Sequence, residues 1–310
     1  MVPSYIDLYK KGELKKRIDE AWALLKSCVL CPRNCKVNRL IDEKGLCNTG
    51  KRAVVSSYGP HFGEESPLVG KRGSGTIFIT WCSMRCIYCQ NYSISQLGEG
   101  TETSNEDLAK MMLSLQEQGC HNINIVTPTH VVPQILSALE IAVERGLNIP
   151  LVYNTGGYDS VETLKIIDKV FDIYMPDMKY GDKTTAAKLS KVSNYPKINQ
   201  DAVLEMHRQV GDLVLDGNGI AQRGLLIRHL VLPDNLAGTE KVLEFISKKI
   251  SKNTYLNIMD QYNPHYKAFK KPQLNKRITS NEYNYALELA KRYGLNRLDS
   301  KRPISFIRLF

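Results

Sequence analysis

The sequence predicts an α/β fold, a partial, open (β/α)6 TIM-like barrel with a small N-terminal four-cysteine metal-binding segment. Three observations carry that prediction. Six short runs rich in β-branched residues alternate with amphipathic stretches from Gly75 onward, the pattern of repeated βα units around a parallel sheet. Six strands fall short of the eight that close a barrel. Finally, residues 1 to about 70 carry four clustered cysteines and the Gly- and Pro-bearing stretch GPHFGEESPLVGKRGSG, which reads as loops around a small metal-held module.

The strand candidates are GTIFITW (75–81), NINIVTP (122–128), IPLVYNT (149–155), DIYMPDMK (172–179), GLLIRHLVLP (224–233) and TYLNIMDQY (254–262). Helical patterns lie between them at 105–118, 131–145, 160–169, 183–209 and 238–250. Ser104 or Asn105 can cap the first of these, and Gly119 and Gly146 follow the ends of two. A last helix at 280–293 follows the basic segment AFKKPQLNKR and ends at Gly294. The expected organisation is a four-cysteine segment over 1–70, the partial barrel over 71–265, and a C-terminal basic segment and helix over 266–310.

At 310 residues, 43% hydrophobic and 24% charged, the chain can bury a sizeable core and matches neither a disordered nor a membrane composition. No apolar run reaches the roughly 20 residues of a membrane helix, and the N-terminus lacks the apolar stretch of a signal peptide. The expected location is cytoplasmic, with no membrane partner. The net charge of +10 would suit nucleic acid, a membrane surface or an acidic partner. Lys and Arg are nevertheless spread along the chain and no basic run interleaves with aromatics, which argues against nucleic acid.

Eight cysteines fall into Cys28, Cys31, Cys35 and Cys47, then Cys82, Cys86 and Cys89, with Cys120 alone. In a reducing compartment such groups bind metal more often than they form disulfides. The segment TWCSMRCIYCQN follows the first strand, where parallel α/β folds place their active sites. An iron-sulfur cubane takes four ligands, and thiolates suit it. Three cysteines leave one iron open to a substrate or cofactor, as a catalytic zinc keeps an open position.

This C-x3-C-x2-C spacing, with Tyr88 before the last cysteine, resembles the signature of the radical SAM superfamily. The resemblance implies a [4Fe-4S] cluster on Cys82, Cys86 and Cys89 whose unique iron takes the amino and carboxylate groups of S-adenosylmethionine. It implies one-electron cleavage to methionine and a 5′-deoxyadenosyl radical, which abstracts hydrogen from a substrate, and an electron donor such as flavodoxin or ferredoxin. The DMK segment (Asp177, Lys179) is similar to the Asp-x-Lys motif of activating enzymes for glycyl-radical proteins, and IRHLVLP (Arg228, His229) to their fifth-strand arginine segment. An Asp facing the SAM ammonium and a Lys or Arg facing its carboxylate are the charge pairs such a ligand needs. GTIFITWCSMRCIYCQNYSISQ with CVLCPRNCKVNR looks closest to the pyruvate formate-lyase activating enzyme-related, PflX-like branch. The resemblance covers roughly residues 70–265.

The pattern departs from that family after the second strand, where TPTH stands in place of a Gly-Gly-Glu-like motif. Thr129 or His130 could make the missing contact to the SAM amine, or serve as a turn with a helix cap. Asn154, with Thr155, Gly156 and Gly157, comes to the same rim, giving Tyr88, Thr129, Asn154, Asp177, Lys179 and Arg228 as the expected SAM-binding set. Cys28, Cys31, Cys35 and Cys47 supply four thiolates, enough for zinc or for an auxiliary iron-sulfur cluster. Cys120 reads as a buried small residue.

The leading expectation is hydrogen abstraction from a protein or peptide residue, received with help from 183–209 and from Tyr262, His265 and Tyr266. A small-molecule or RNA substrate is the rival. An iron-sulfur redox sensor or a metal-stabilised nucleic-acid-binding protein is the non-enzymatic alternative, and neither would need a cofactor-sized barrel.

Overall fold

The computed structural model describes residues 2–299. Residues 300–310 of the predicted C-terminal segment lie outside them. Nine strands form one sheet: β1 (Ala53–His61), β2 (Ser74–Ile79), β3 (Thr101–Thr103), β4 (Ile123–Val126), β5 (Leu151–Thr155), β6 (Ile173–Pro176), β7 (Val214–Leu215), β8 (Ala221–Leu230) and β9 (Tyr255–Met259). The order is β3-β1-β2-β4-β5-β6-β8-β7, with β9 also on β8. From β2 through β4, β5, β6 and β8 to β9 every pairing is parallel. These are the six strands expected, in an α/β fold consistent with a partial barrel. β1 and β3 extend the β2 edge antiparallel.

The parallel strands are buried along their length, as a sheet covered by helices on its outer face requires. The covering helices include α4 (Asn105–Glu117), α5 (Val132–Glu144), α6 (Val161–Ile166), α7 (Lys183–Ser190), α8 (Tyr195–Val210), α9 (Thr239–Phe245) and α10 (Ser280–Arg292). Ser104 is the cap of α4, its hydroxyl accepting from the Asp107 amide at 3.0 Å. Gly119 and Gly146 follow α4 and α5 at φ +82° and +96°, conformations that glycine adopts without a Cβ penalty.

The structure differs from expectation in two places. The stretch 183–209 is two helices, because Lys191 takes a left-handed φ of 58° and Pro196 restarts the chain in the first turn of α8. The N-terminal 70 residues are not only loops: α1 (Ser4–Lys10), α2 (Glu13–Ala23), β1 and the short α3 (Ser66–Val69) lie there. The buried Tyr5, Leu8, Leu14, Ile18 and Ala21 share one core with Leu136 and Leu139 of α5 and with Ile123 and Leu151. Two tethers fix this segment under the sheet. Ser4 donates its amide and hydroxyl to Asp172 Oδ1 at 2.9 and 3.0 Å, and the Tyr5 hydroxyl donates to the Ile149 carbonyl at 2.8 Å. Asp172 immediately precedes β6 and Ile149 lies two residues before β5, so the N-terminus closes the end of the sheet opposite the candidate site.

Candidate active site

After β2 the chain turns at Trp81, which holds a positive φ of 71°, and enters the loop carrying Cys82, Cys86 and Cys89. This loop docks on the end of α7: the Arg85 and Ile87 amides donate to the Ser190 and Leu189 carbonyls at 3.1 and 2.9 Å. Each sulfur has one hydrogen-bonding neighbour. Cys82 Sγ accepts from the Met84 amide at 3.3 Å, Cys86 Sγ from the Ser190 hydroxyl at 3.0 Å, and Cys89 Sγ lies 3.1 Å from Ser95 Oγ. Burial pushes the Cys82 thiol up to about 12 and the Cys86 thiol up to about 11, the latter against the positive charge of Lys179.

Facing this loop, the carboxyl ends of β5, β6 and β8 present polar and charged side chains. Arg228 Nε donates to Asp177 Oδ1 at 2.8 Å and its Nη2 to Asn154 Oδ1 at 2.8 Å. Lys179 Nζ holds the other Asp177 oxygen at 2.5 Å. Burial works to raise Asp177, but Arg228 and Lys179 outweigh it and hold the carboxyl below its ordinary range. For Lys179, burial works the other way and is outweighed by Asp177 and Cys86, so the ammonium is held charged. Four expected residues, Asn154, Asp177, Lys179 and Arg228, therefore form one hydrogen-bonded group beside Cys86.

Two carboxylates join them that sequence reading missed. Glu64 Oε2 and Glu65 Oε1 lie 3.9 and 3.8 Å from Arg228 Nη1, brought there by the turn between β1 and α3. Burial raises both carboxyls, Glu65 to about 7, against the pull of Arg228. Asn257 donates to Glu65 Oε1 at 3.0 Å, while Glu65 Oε2 is buried without a partner. Two adjacent glutamates in a Gly- and Pro-bearing stretch give no spacing signal, and only the fold turns them inward.

The remaining expected residues are placed differently. Tyr88 is buried, its hydroxyl 2.6 Å from that of Tyr180, which in turn lies 2.6 Å from Ser190 Oγ. The chain Tyr88, Tyr180, Ser190, Cys86 is thus continuous. Tyr262 packs edge-on against Tyr88 at 6.0 Å, and Tyr266 stacks on Tyr92 at 5.2 Å. Thr129 donates its hydroxyl to Asp159 Oδ1 at 2.6 Å, within a buried network that Thr155 and Tyr153 complete, so its one proton is committed. His130 is buried at 1% exposure and sends Nε2 to the Thr80 carbonyl at 3.0 Å. It lines the cavity of the N-terminal cysteines. His229 is pinned between the Met178 carbonyl and Thr239.

Gly156 and Gly157 lie between the two halves of the site. A Cβ on Gly157 would stand 2.2 Å from the Asp177 carbonyl oxygen at a φ of +74°, whereas one on Gly156 would meet Met84 Sδ at 3.2 Å. Gly157→Ala is expected to cost about 3 kcal/mol and Gly156→Ala much less, since a methionine end can move. Thermal unfolding of the two variants side by side checks this.

All eight cysteines are free. Among the described residues no three His, Cys, Asp or Glu side chains are gathered tightly enough to hold a single metal ion as they stand.

Comparison with known proteins places the chain in a family. The radical SAM superfamily profile matches residues 76–246. Over 301 residues, 94% of this chain and 82% of the relative, the sequence is 34% identical to the uncharacterized protein MJ0674 of Methanocaldococcus jannaschii. This chain belongs to the radical SAM superfamily. Membership implies a [4Fe-4S] cluster and S-adenosylmethionine, and it makes the protein an enzyme of the radical SAM oxidoreductase kind. Two solved structures are similar at low identity. One is HydG, a maturase of the [FeFe]-hydrogenase, at 12% identity and TM-score 0.47, covering 72% of this chain. The other is HydG from Carboxydothermus hydrogenoformans, at 14% identity, TM-score 0.45 and the same 72%. This chain spans about half the length of those two, 49% and 51%. No helix among the described residues is long and apolar enough to cross a membrane.

Proposed function

We propose that Cys82, Cys86 and Cys89 hold the [4Fe-4S] cluster and that the charged group at the strand ends holds S-adenosylmethionine beside it. When bound, the cluster and SAM supply reductive carbon-sulfur cleavage to a 5′-deoxyadenosyl radical, which takes hydrogen from a substrate. The observation that carries the reading is the charge count next to Cys86. Three carboxylates, Asp177, Glu64 and Glu65, face two cations, Lys179 and Arg228. One carboxylate is in excess, and Glu65 Oε2 lacks a partner. A zwitterion with an extra positive charge, as SAM is, fits such a pocket: its ammonium meets the surplus carboxylate and its carboxylate meets Lys179 or Arg228. Both Asp177 oxygens are already held by those cations, so Glu65 supplies the carboxylate that the missing Gly-Gly-Glu motif would have given. Three soft sulfurs, each with a hydrogen-bonding neighbour, fit the cluster.

For the substrate we take the activating-enzyme type, hydrogen removal from a protein or peptide residue, with a flavodoxin or ferredoxin as electron donor in the cytoplasm. The Asp-x-Lys segment at the end of β6, together with the PflX-like cysteine segments, supports that choice. Anaerobically reconstituted protein with SAM and a strong reductant is expected to release 5′-deoxyadenosine. Deuterium from a labelled glycine-bearing peptide is expected to enter that product. Absence of release at full iron loading would sink the enzyme reading, and release without deuterium transfer would sink the peptide substrate.

A further inference from the structure

The other cysteine group is joined to the cluster loop through Arg33 and Arg85, and the fold around it is closed. The Cys28 amide donates to the Val37 carbonyl at 2.8 Å and the Lys36 amide returns to the Cys28 carbonyl at 3.0 Å. With Asn34 and Lys36 at φ 52° and 61°, these bonds fold Cys28, Cys31 and Cys35 into a tight knuckle. Gly45 brings the turn carrying Cys47 over it: a Cβ there would stand 2.8 Å from Cys35 Sγ, so only glycine lets the backbone cross that sulfur. The four cysteines line one small cavity together with His130 and Arg39.

His130 supplies the observation that four thiols alone would not. Its Nε2 faces a carbonyl oxygen, which only accepts, so Nε2 carries the proton and Nδ1 is a bare lone pair. That Nδ1 is buried and has no partner. Arg39, itself 1% exposed, does not fill the gap. Its guanidinium donates to the Gly50 carbonyl at 3.1 and 3.0 Å and to the His130 carbonyl at 2.8 Å. A buried unpaired acceptor costs free energy, and in a cavity bounded by sulfur the group that satisfies both it and the thiolates is a cation.

We propose that Cys28, Cys31, Cys35, Cys47 and His130 surround a second metal centre, which takes a thiophilic metal, zinc or an iron-sulfur cluster, through thiolate sulfur and the His130 lone pair. The histidine comes from the β4 end of the barrel and the cysteines from the N-terminal segment, so one metal joins the two. The centre is also tied to the catalytic loop. Arg33 Nε donates to the Ser83 carbonyl at 2.7 Å. Arg85, between Cys82 and Cys86, donates to the carbonyls of both Cys82 and Leu46, the latter next to Cys47. The inference is independent of the proposed reaction, because the deciding experiment removes the catalytic cysteines.

The full chain carrying Cys82→Ala, Cys86→Ala and Cys89→Ala, purified anaerobically and offered zinc alone or iron with sulfide, is expected to retain one centre per chain. The preferred arm tells zinc from an iron-sulfur cluster. Adding Cys31→Ser is expected to empty it. X-ray absorption at the edge of the retained metal, on the variant whose His130 is intact, is expected to show imidazole nitrogen beside sulfur. A triple variant that holds no more metal than the Cys31→Ser control, with the fold intact by circular dichroism, overturns the centre. A sulfur-only shell overturns the part given to His130.

Discussion

Replacing Cys86 by alanine is expected to reduce 5′-deoxyadenosine release to the level of a protein-free control, while Cys31→Ser retains cleavage. Of the three sulfurs on the β2 loop, Cys86 is the one tied to both sides of the site. It accepts from Ser190, which anchors it to α7 and the buried tyrosine chain, and it stands in the field of Lys179. Alanine would leave two cysteines for a group that takes thiolates at its corners, and it would remove the sulfur that stands in the field of Lys179. The measurement is product per chain under reductant, with iron content determined on the same samples. Equal loss in both variants would show that the N-terminal cysteines belong to the reaction centre itself.

The second large effect is expected at Arg228. This guanidinium is the common partner of Asp177, Asn154, Glu64 and Glu65. Arg228→Met removes the cation and leaves buried carboxylates unpaired, which costs about 3–5 kcal/mol when a buried pair is broken. The cost depends on pH with a definite sign. Burial already raises Glu65 to about 7 in the folded chain, above the ordinary carboxylate range of roughly 4, so the folded state binds the extra proton between those values. Stability therefore falls as pH rises through that window. Without Arg228 the folded carboxylates hold their protons still more tightly, so the destabilisation is expected to be smaller near pH 5 than near pH 8. Denaturant midpoints of wild type and variant at the two pH values test this, and a pH-independent difference would show that Glu64 and Glu65 do not face the lost charge.

Much of this site was readable from residue order because strand ends and cofactor chemistry share a position. A β-branched run followed by a polar segment marks the carboxyl end of a parallel strand, which is where Cys82, Asn154, Asp177 and Arg228 emerge. Glu64 and Glu65 were not readable, since they come from a turn outside the βα repeat and reach the site only because β1 pairs antiparallel with β2. The seven-residue α1 is too short to be stable alone. It exists through Ser4 and Tyr5, whose partners are distant in sequence. His130 reads in the sequence as a contact to the SAM amine or part of a turn, whereas its ring is set by the Thr80 carbonyl and lines the cavity of the N-terminal cysteines, which no spacing rule reports.

The N-terminal tethers carry a consequence for how the chain is made. Ser4 and its partner Asp172 are 168 residues apart, and α2 packs on α5, which is also synthesised much later. At about 5–20 residues per second, a ribosome takes on the order of ten to thirty seconds to supply the partners that bury Tyr5, Leu8 and Leu14. During that interval the first four thiols emerge beside uncovered apolar side chains, before the barrel that would shelter them exists. The same tethers that seal the finished sheet thus close only late in synthesis, after Asp172 and Ile149 have emerged.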